Sequence, residues 1–188
     1  EIMSDSTCII AEGEVLQLIN QRDPETTETR YMDVIYCKTA QLFAAATETD
    51  AVLGDAQFRD AMKNYALHFG AAFQIVDDVM DYTSSAEVMG KNVGDDLAEG
   101  KPTLPLIQAM KVAVPEDAEI IRQAIKTGGL QHLERIIRLV QETGALEYCH
   151  QRAVKESDLA IAALSLLPPS IYKEALEGLA KLALNRVS

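Results

Sequence analysis

The chain has 188 residues, 48% of them hydrophobic and 24% charged, which fits one globular unit with a sizeable core, or part of a larger one, and excludes a disordered or fibrous chain. Twenty-nine acidic residues against 17 basic ones give a formal charge of −12, so no nucleic-acid partner is expected and each local basic group stands out. Cys8, Cys37 and Cys149 form no CxxC pair, which points away from a disulfide framework or zinc site and towards a reducing compartment, with core packing expected for each.

Helical periodicity runs through the whole chain, and nothing alternates apolar and polar residues long enough to propose a sheet. The first helix is expected over 3–20. It opens at "EIMSDSTCII", already patterned and without a starting Met, as the rear part of a longer protein would. No leader and no run of 18 apolar residues is seen, so no stable membrane insertion and a cytoplasmic location are expected. Glu14 in "AEGEVLQL" stands inside an apolar stripe beside Gly13. A hydrated Glu14 with close packing at the glycine and a buried carboxylate both remain open.

"RDPETT" separates this helix from a second over 27–48, with Thr26 or Thr27 as N-cap. There Tyr31, Val34, Ile35, Lys38 and Leu42 share one stripe, and Lys38 stands where the apolar face should continue. Either it snorkels from the edge of the stripe, or it is buried and needs an anion.

A third helix is expected over 55–81 and ends in "QIVDDVMD". Gln74, Asp77, Asp78 and Asp81 fall at i, i+3, i+4 and i+7, within an arc of roughly 100°. Like charges at that spacing repel, and carboxylates in a last turn oppose the helix dipole by about 0.3–1 kcal/mol each. A solvated acidic helix end is one explanation. A hard divalent cation is the other: the candidate ligands are oxygens without His or Cys, which suits Mg²⁺, and the EF-hand spacing is absent. Mg²⁺ usually shares its coordination with phosphate, so basic groups are expected nearby.

The longest irregular stretch is 82–102, which carries Gly90, Lys91, Gly94, Gly100 and Lys101. Glycines there let the backbone bend and lysines reach inward, although a surface loop reads the same way and the P-loop pattern is not met, because Pro102 follows Lys101. Asp95 and Asp96 are expected to pair with the lysines or to support the metal ligands. Further helices are expected over 103–112, 116–127, 130–143, 145–167 and 170–186, punctuated by Pro115, "TGG" at 127–129, Gly144 and Pro169. His68, His132 and His150 form no i, i+4 pair and are expected on the surface or in the core.

Four ordered segments, "GEVLQL", "YCKTAQLF", "FQIVDDVMD" and "GKNVGDDLAEGKPTLPL", resemble the C-terminal half of the trans-polyprenyl diphosphate synthases, nearest to the long-chain bacterial members that make octaprenyl diphosphate for quinone side chains. The resemblance implies an all-α bundle of the isoprenoid synthase type, with residues 1–188 forming the C-terminal part of one domain whose N-terminal helices are absent. It implies a Mg²⁺-dependent prenyltransferase that joins isopentenyl diphosphate to an allylic diphosphate, such as farnesyl diphosphate, and that works as a homodimer. Asp77, Asp78 and Asp81 become metal ligands, direct or through water. Lys38 and Lys91 grip the allylic diphosphate, Thr39 and Gln74 line the same cavity, Lys101 adds positive charge, and Phe73 lies near the reacting prenyl groups. The family's first aspartate-rich motif has no counterpart in these residues, since "GDDLAEG" lacks the helix context, so the 188 residues alone are expected to be inactive. A terpene cyclase on a similar bundle and a non-catalytic regulatory subunit of a heteromeric synthase are the alternatives.

Overall fold

The computed structural model describes residues 1–83 and 94–185, and the described residues are helical with no strand. In chain order they form α1 (Ile2–Asn20), α2 (Glu28–Val34), a π turn (Ile35–Ala40), α3 (Gln41–Gly54), a 3₁₀ turn (Ala56–Phe58), α4 (Arg59–Thr83), α5 (Asp95–Glu99), α6 (Leu104–Val112), α7 (Pro115–Thr127), α8 (Leu133–Glu142), α9 (Ala145–Ala163), a 3₁₀ turn (Leu164–Leu166) and α10 (Ile171–Leu184). No helix among them is long and apolar enough to cross a membrane.

The punctuation acts locally as expected. Thr27, not Thr26, caps α2, its hydroxyl accepting from Arg30 N–H at 3.3 Å, and Ser170 caps α10 in the same way. Pro115 is the first residue of α7, where its missing N–H costs nothing. Pro169 lies one residue further out, before the Ser170 cap.

At 25 residues α4 is the longest helix, about 37 Å at 1.5 Å per residue. Three apolar clusters follow one another along it. Tyr65 and Ala66 meet Ala44, Ala160, Leu164 and Ala180 near its start; Ala71, Ile75, Val76 and Val79 meet Tyr31, Ile35, Leu104, Cys149 and Ala153 in the middle; Tyr82 meets Leu97, Leu106, Ile121, Ile125, Ile136 and Val140 at the end. Buried on several sides, α4 holds its last turns, with their aspartates, in a fixed place.

Two expected elements differ. The continuous helix over 27–48 is broken by the π turn, whose i→i+5 bonding widens the turn. The apolar stripe therefore loses register, and Leu42 emerges 56% exposed while Ala40, Ala44 and Ala45 take the buried positions. The stretch 82–102 is likewise not all irregular: α4 runs on to Thr83, and Asp95–Glu99 is a short helix between left-handed Gly94 and Gly100. "GDDLAEG" thus does have a helical context, of five residues. Of the cysteines only Cys149 is fully in the core; Cys37 is half-buried, and Cys8 is exposed because it faces outward from α1.

Candidate functional site

The π turn is gripped from two sides by close backbone approach. A Cβ on Gly13 of α1 would lie 2.8 Å from Lys38 N, and one on Gly70 of α4 would lie 2.7 Å from Ala40 Cα. Only glycine lets α1 and α4 come this near. Lys38 and Thr39 are consequently carried between the two helices, facing the end of α4.

There a cavity of about 310 Å³ opens. Its wall includes Lys38, Thr39, Gln74, Asp77, Asp78, Asp81 and Lys101, seven of the residues singled out from the sequence. Phe73 is not on this wall. It belongs to an aromatic row with Phe69 and Phe43, at centroid separations of 6.4 and 5.9 Å, and Tyr65 stacks on Phe69. Tyr65, Phe69, Phe73 and Asp77 are spaced i, i+4, i+8 and i+12, so the row leads away from the cavity along one side of α4. Lys91 lies outside the described residues.

A chain of hydrogen bonds orients the aspartate face. Thr39 Oγ1 donates to Gln74 Oε1 at 3.1 Å, Gln74 Nε2 donates to Asp78 Oδ1 at 2.8 Å, and Tyr31 Oη donates to Asp78 Oδ2 at 2.6 Å. Both Asp78 oxygens are thus engaged from within the protein. Burial, then the nearby Asp96 charge, pushes the Asp78 carboxyl well above the usual carboxylate range, against the opposing pull of the two hydrogen bonds. Asp81, 5% exposed, is pushed up to about 6 by the same two causes, although Asp96 N–H reaches its Oδ2 at 3.4 Å.

The two lysines are held by acidic neighbours. Lys38 Nζ pairs with Glu14 Oε1 at 2.9 Å and donates to Gln17 Oε1 at 3.0 Å; both partners come from "GEVLQL", and Glu14 is the hydrated, half-exposed carboxylate. Lys101 Nζ pairs with Asp96 at 3.1 Å and Glu99 at 2.7 Å. Burial opposes its charge, yet Glu99 and Asp96 hold Lys101 above the usual lysine range.

Asp77, Asp78, Asp81, Asp95, Asp96 and Glu99 line the cavity together with two lysines, so the described wall has four more acidic groups than basic ones. Raised carboxyls and that excess mark a site short of positive charge, and a hard cation fits an all-oxygen donor set. Among the described residues no three acidic, His or Cys side chains enclose a point by themselves, so coordination would be completed by phosphate oxygens and water. Thr26 Oγ1, on the same wall, is the buried side-chain polar atom without a hydrogen-bond partner among the described residues. Sequence reading placed Tyr31 on an apolar stripe without a polar role and gave none to Gln17 or Asn20; a tyrosine on a buried stripe was the available signal, because its hydroxyl needs a partner.

The polyprenyl synthetase family profile matches residues 1–142. All-trans-nonaprenyl-diphosphate synthase (geranyl-diphosphate specific) of Rhodobacter capsulatus is 53% identical over 185 residues, covering 98% of this chain and 57% of that protein. Octaprenyl diphosphate synthase of Escherichia coli K12 is 49% identical over 189 residues, 99% of this chain and 58% of that one. The crystal structure of polyprenyl synthase from Caulobacter crescentus CB15, complexed with calcium and isoprenyl diphosphate, superposes with a TM-score of 0.93 at 40% identity, over 100% of this chain and 58% of that one. The chain therefore spans a little over half the length of these relatives.

Proposed function

The chain belongs to the polyprenyl synthetase family, and from that premise we propose that it supplies the allylic-diphosphate side of a trans-prenyltransferase active site. The reaction adds isopentenyl diphosphate units to an allylic diphosphate, with farnesyl diphosphate as starter, and yields a long-chain product of the octaprenyl class. The observation that carries this reading is one cavity joining the "DDVMD" aspartates to Lys38, Thr39, Gln74 and Lys101.

In each condensation the allylic C1–O bond breaks, the electron pair leaves with diphosphate, C1 bonds to C4 of isopentenyl diphosphate, and a proton passes from its C2 to the released diphosphate. Catalysis of this kind is positioning plus electrostatic stabilisation. Asp77 and Asp81 would hold Mg²⁺, with Asp78 fixed behind them by Tyr31 and Gln74. A Mg²⁺ held there would supply positive charge to offset that of the departing diphosphate. Lys38 and Lys101 would exchange Glu14 and Glu99 for phosphate oxygens, and Lys91 would join them. Thr39 and Gln74 add hydrogen-bonding groups beside Lys38. The Phe43, Phe69 and Phe73 rings would wall the prenyl chain and keep water from the allylic cation.

We infer in addition a homodimer, which the family resemblance implies, and a cytoplasmic location, supported by three free cysteines. The test of the site is Asp77→Ala in the full-length protein. Mg²⁺-dependent incorporation of labelled isopentenyl diphosphate is expected to fall about 100-fold or more, with the circular dichroism spectrum and thermal midpoint retained. Wild-type turnover in that variant would sink the assignment.

A further inference from the structure

Glu156, on α9 behind the π turn, is 1% exposed yet takes no part in the cavity. Its carboxylate is filled by donors. Tyr36 Oη donates to Oε2 at 2.7 Å, His68 Nδ1 donates to the same oxygen at 2.6 Å, and the Arg152 guanidinium occupies Oε1. Arg152 Nε continues to Glu28 Oε1 at 3.3 Å, and Tyr148 Oη donates to Glu28 Oε2 at 2.6 Å. Glu28 is the first residue of α2 and Tyr36 the second of the π turn. Tyr148, Arg152 and Glu156, one helical turn apart on α9, therefore hold the α2–π unit at both ends.

Stability alone does not call for this cluster. A buried ion pair is commonly no better than apolar packing of the same volume, and Cys149 and Ala153 of α9 already pack apolar surface against Tyr31 and Ile35. What the cluster does fix is rotation. Residues two apart leave an α-helical turn roughly 200° from one another, and a wider turn leaves them still on opposing sides. With Tyr36 pinned on α9, Lys38 must point the other way, into the cavity, and Thr39 beside it meets Gln74. Burial opposes ionisation of Glu156, but the hydrogen bonds from His68, Tyr36 and Arg152 hold its carboxyl below the usual range, so a full negative charge faces Tyr36 at neutral pH.

We propose that Glu156, acting through Tyr36 with Arg152 and His68, is a positioning residue for diphosphate binding: it fixes the π turn in the rotation that presents Lys38 and Thr39 to the substrate. The proposal rests on the cavity being the allylic diphosphate site. None of Tyr36, His68, Arg152 and Glu156 lines the described cavity.

Glu156→Gln would leave Arg152 buried beside a neutral partner and lower stability, so the decisive variant is Tyr36→Phe, which removes one hydroxyl. In the full-length protein, Tyr36→Phe, Lys38→Ala and the double variant are compared by KM for farnesyl diphosphate, KM for isopentenyl diphosphate, kcat and thermal midpoint. Tyr36→Phe is expected to raise the farnesyl diphosphate KM about fivefold or more with the isopentenyl diphosphate KM unchanged. In the double variant this increase should vanish into that of Lys38→Ala, since residues acting as one unit are not additive. A lowered midpoint with both KM values unchanged in Tyr36→Phe, or fully additive effects, would overturn the proposal while leaving the site reading intact. No effect from Lys38→Ala would remove the site reading, and the positioning role with it.

Discussion

Asp78 and Asp81 leave the same face of α4 three residues apart and meet different surroundings. Asp78 is tied by Tyr31 and Gln74, whereas Asp81 receives a long bond from Asp96 N–H at 3.4 Å and carries a carboxyl pushed up to about 6 by burial and the Asp96 charge. In the unfolded chain an aspartate titrates near 3.9. Between about pH 4 and 6 the native, metal-free protein therefore holds a proton that the unfolded chain has released, and this group's contribution to stability falls as pH rises through that window. Asp81→Asn is expected to make the metal-free protein more stable than wild type at pH 7 by about 1–3 kcal/mol, with the advantage gone below pH 4. Urea melts in excess chelator at the two pH values check it; an equal or lower pH 7 stability in the variant contradicts the shift. The spacing of Gln74, Asp77, Asp78 and Asp81 was readable from sequence because a helix imposes it. Their unequal burial was not, because it depends on Tyr31 and Asp96, which arrive from other elements.

Among the elements, the π turn carries most of the site's geometry and left the weakest trace in the sequence. The stripe Tyr31, Val34, Ile35, Lys38 and Leu42 obeys an α-helical period, yet Leu42 is exposed, because the wider turn shifts everything after Ile35. The choice between snorkelling and burial for Lys38 also could not be made from that stripe. Its side chain is 31% exposed and paired with Glu14, a partner only the folding of α1 onto the turn provides. The close approaches at Gly13 and Gly70 hold the turn from both sides. Gly70→Ala should gain about 1 kcal/mol of helix propensity but force a methyl to 2.7 Å from Ala40 Cα, and overpacking against backbone typically costs about 1–3 kcal/mol or more. A lower urea midpoint is expected for Gly70→Ala. Gly54→Ala, with nothing within 4 Å of the added methyl, serves as control and should be neutral or stabilising. A midpoint for Gly70→Ala at or above wild type would mean that α4 and the turn are not locked at that contact. The helix α5 escaped sequence reading for a different reason: five residues between two glycines carry too short a pattern to distinguish a turn of helix from a loop.

For the molecule as a whole, the all-α architecture was legible because the helical period and the caps agree along the chain, and three apolar clusters along α4 realise it. The cavity was legible as a list of residues but not as a charge balance. Six carboxylates on the described wall face Lys38 and Lys101, and both lysines are already paired with acidic groups. A diphosphate brought to such a wall meets repulsion unless cations come with it, since like charges at short range in a partly buried site repel strongly. The Glu156 cluster sets the same wall from behind by fixing the turn that carries Lys38. The most direct test of the site is calorimetric titration of farnesyl diphosphate into the full-length protein, in excess Mg²⁺ and in excess chelator, with Asp77→Ala alongside. Saturable binding that requires Mg²⁺ and is lost in Asp77→Ala is the predicted result; equal affinity in chelator, or in the variant, would contradict it.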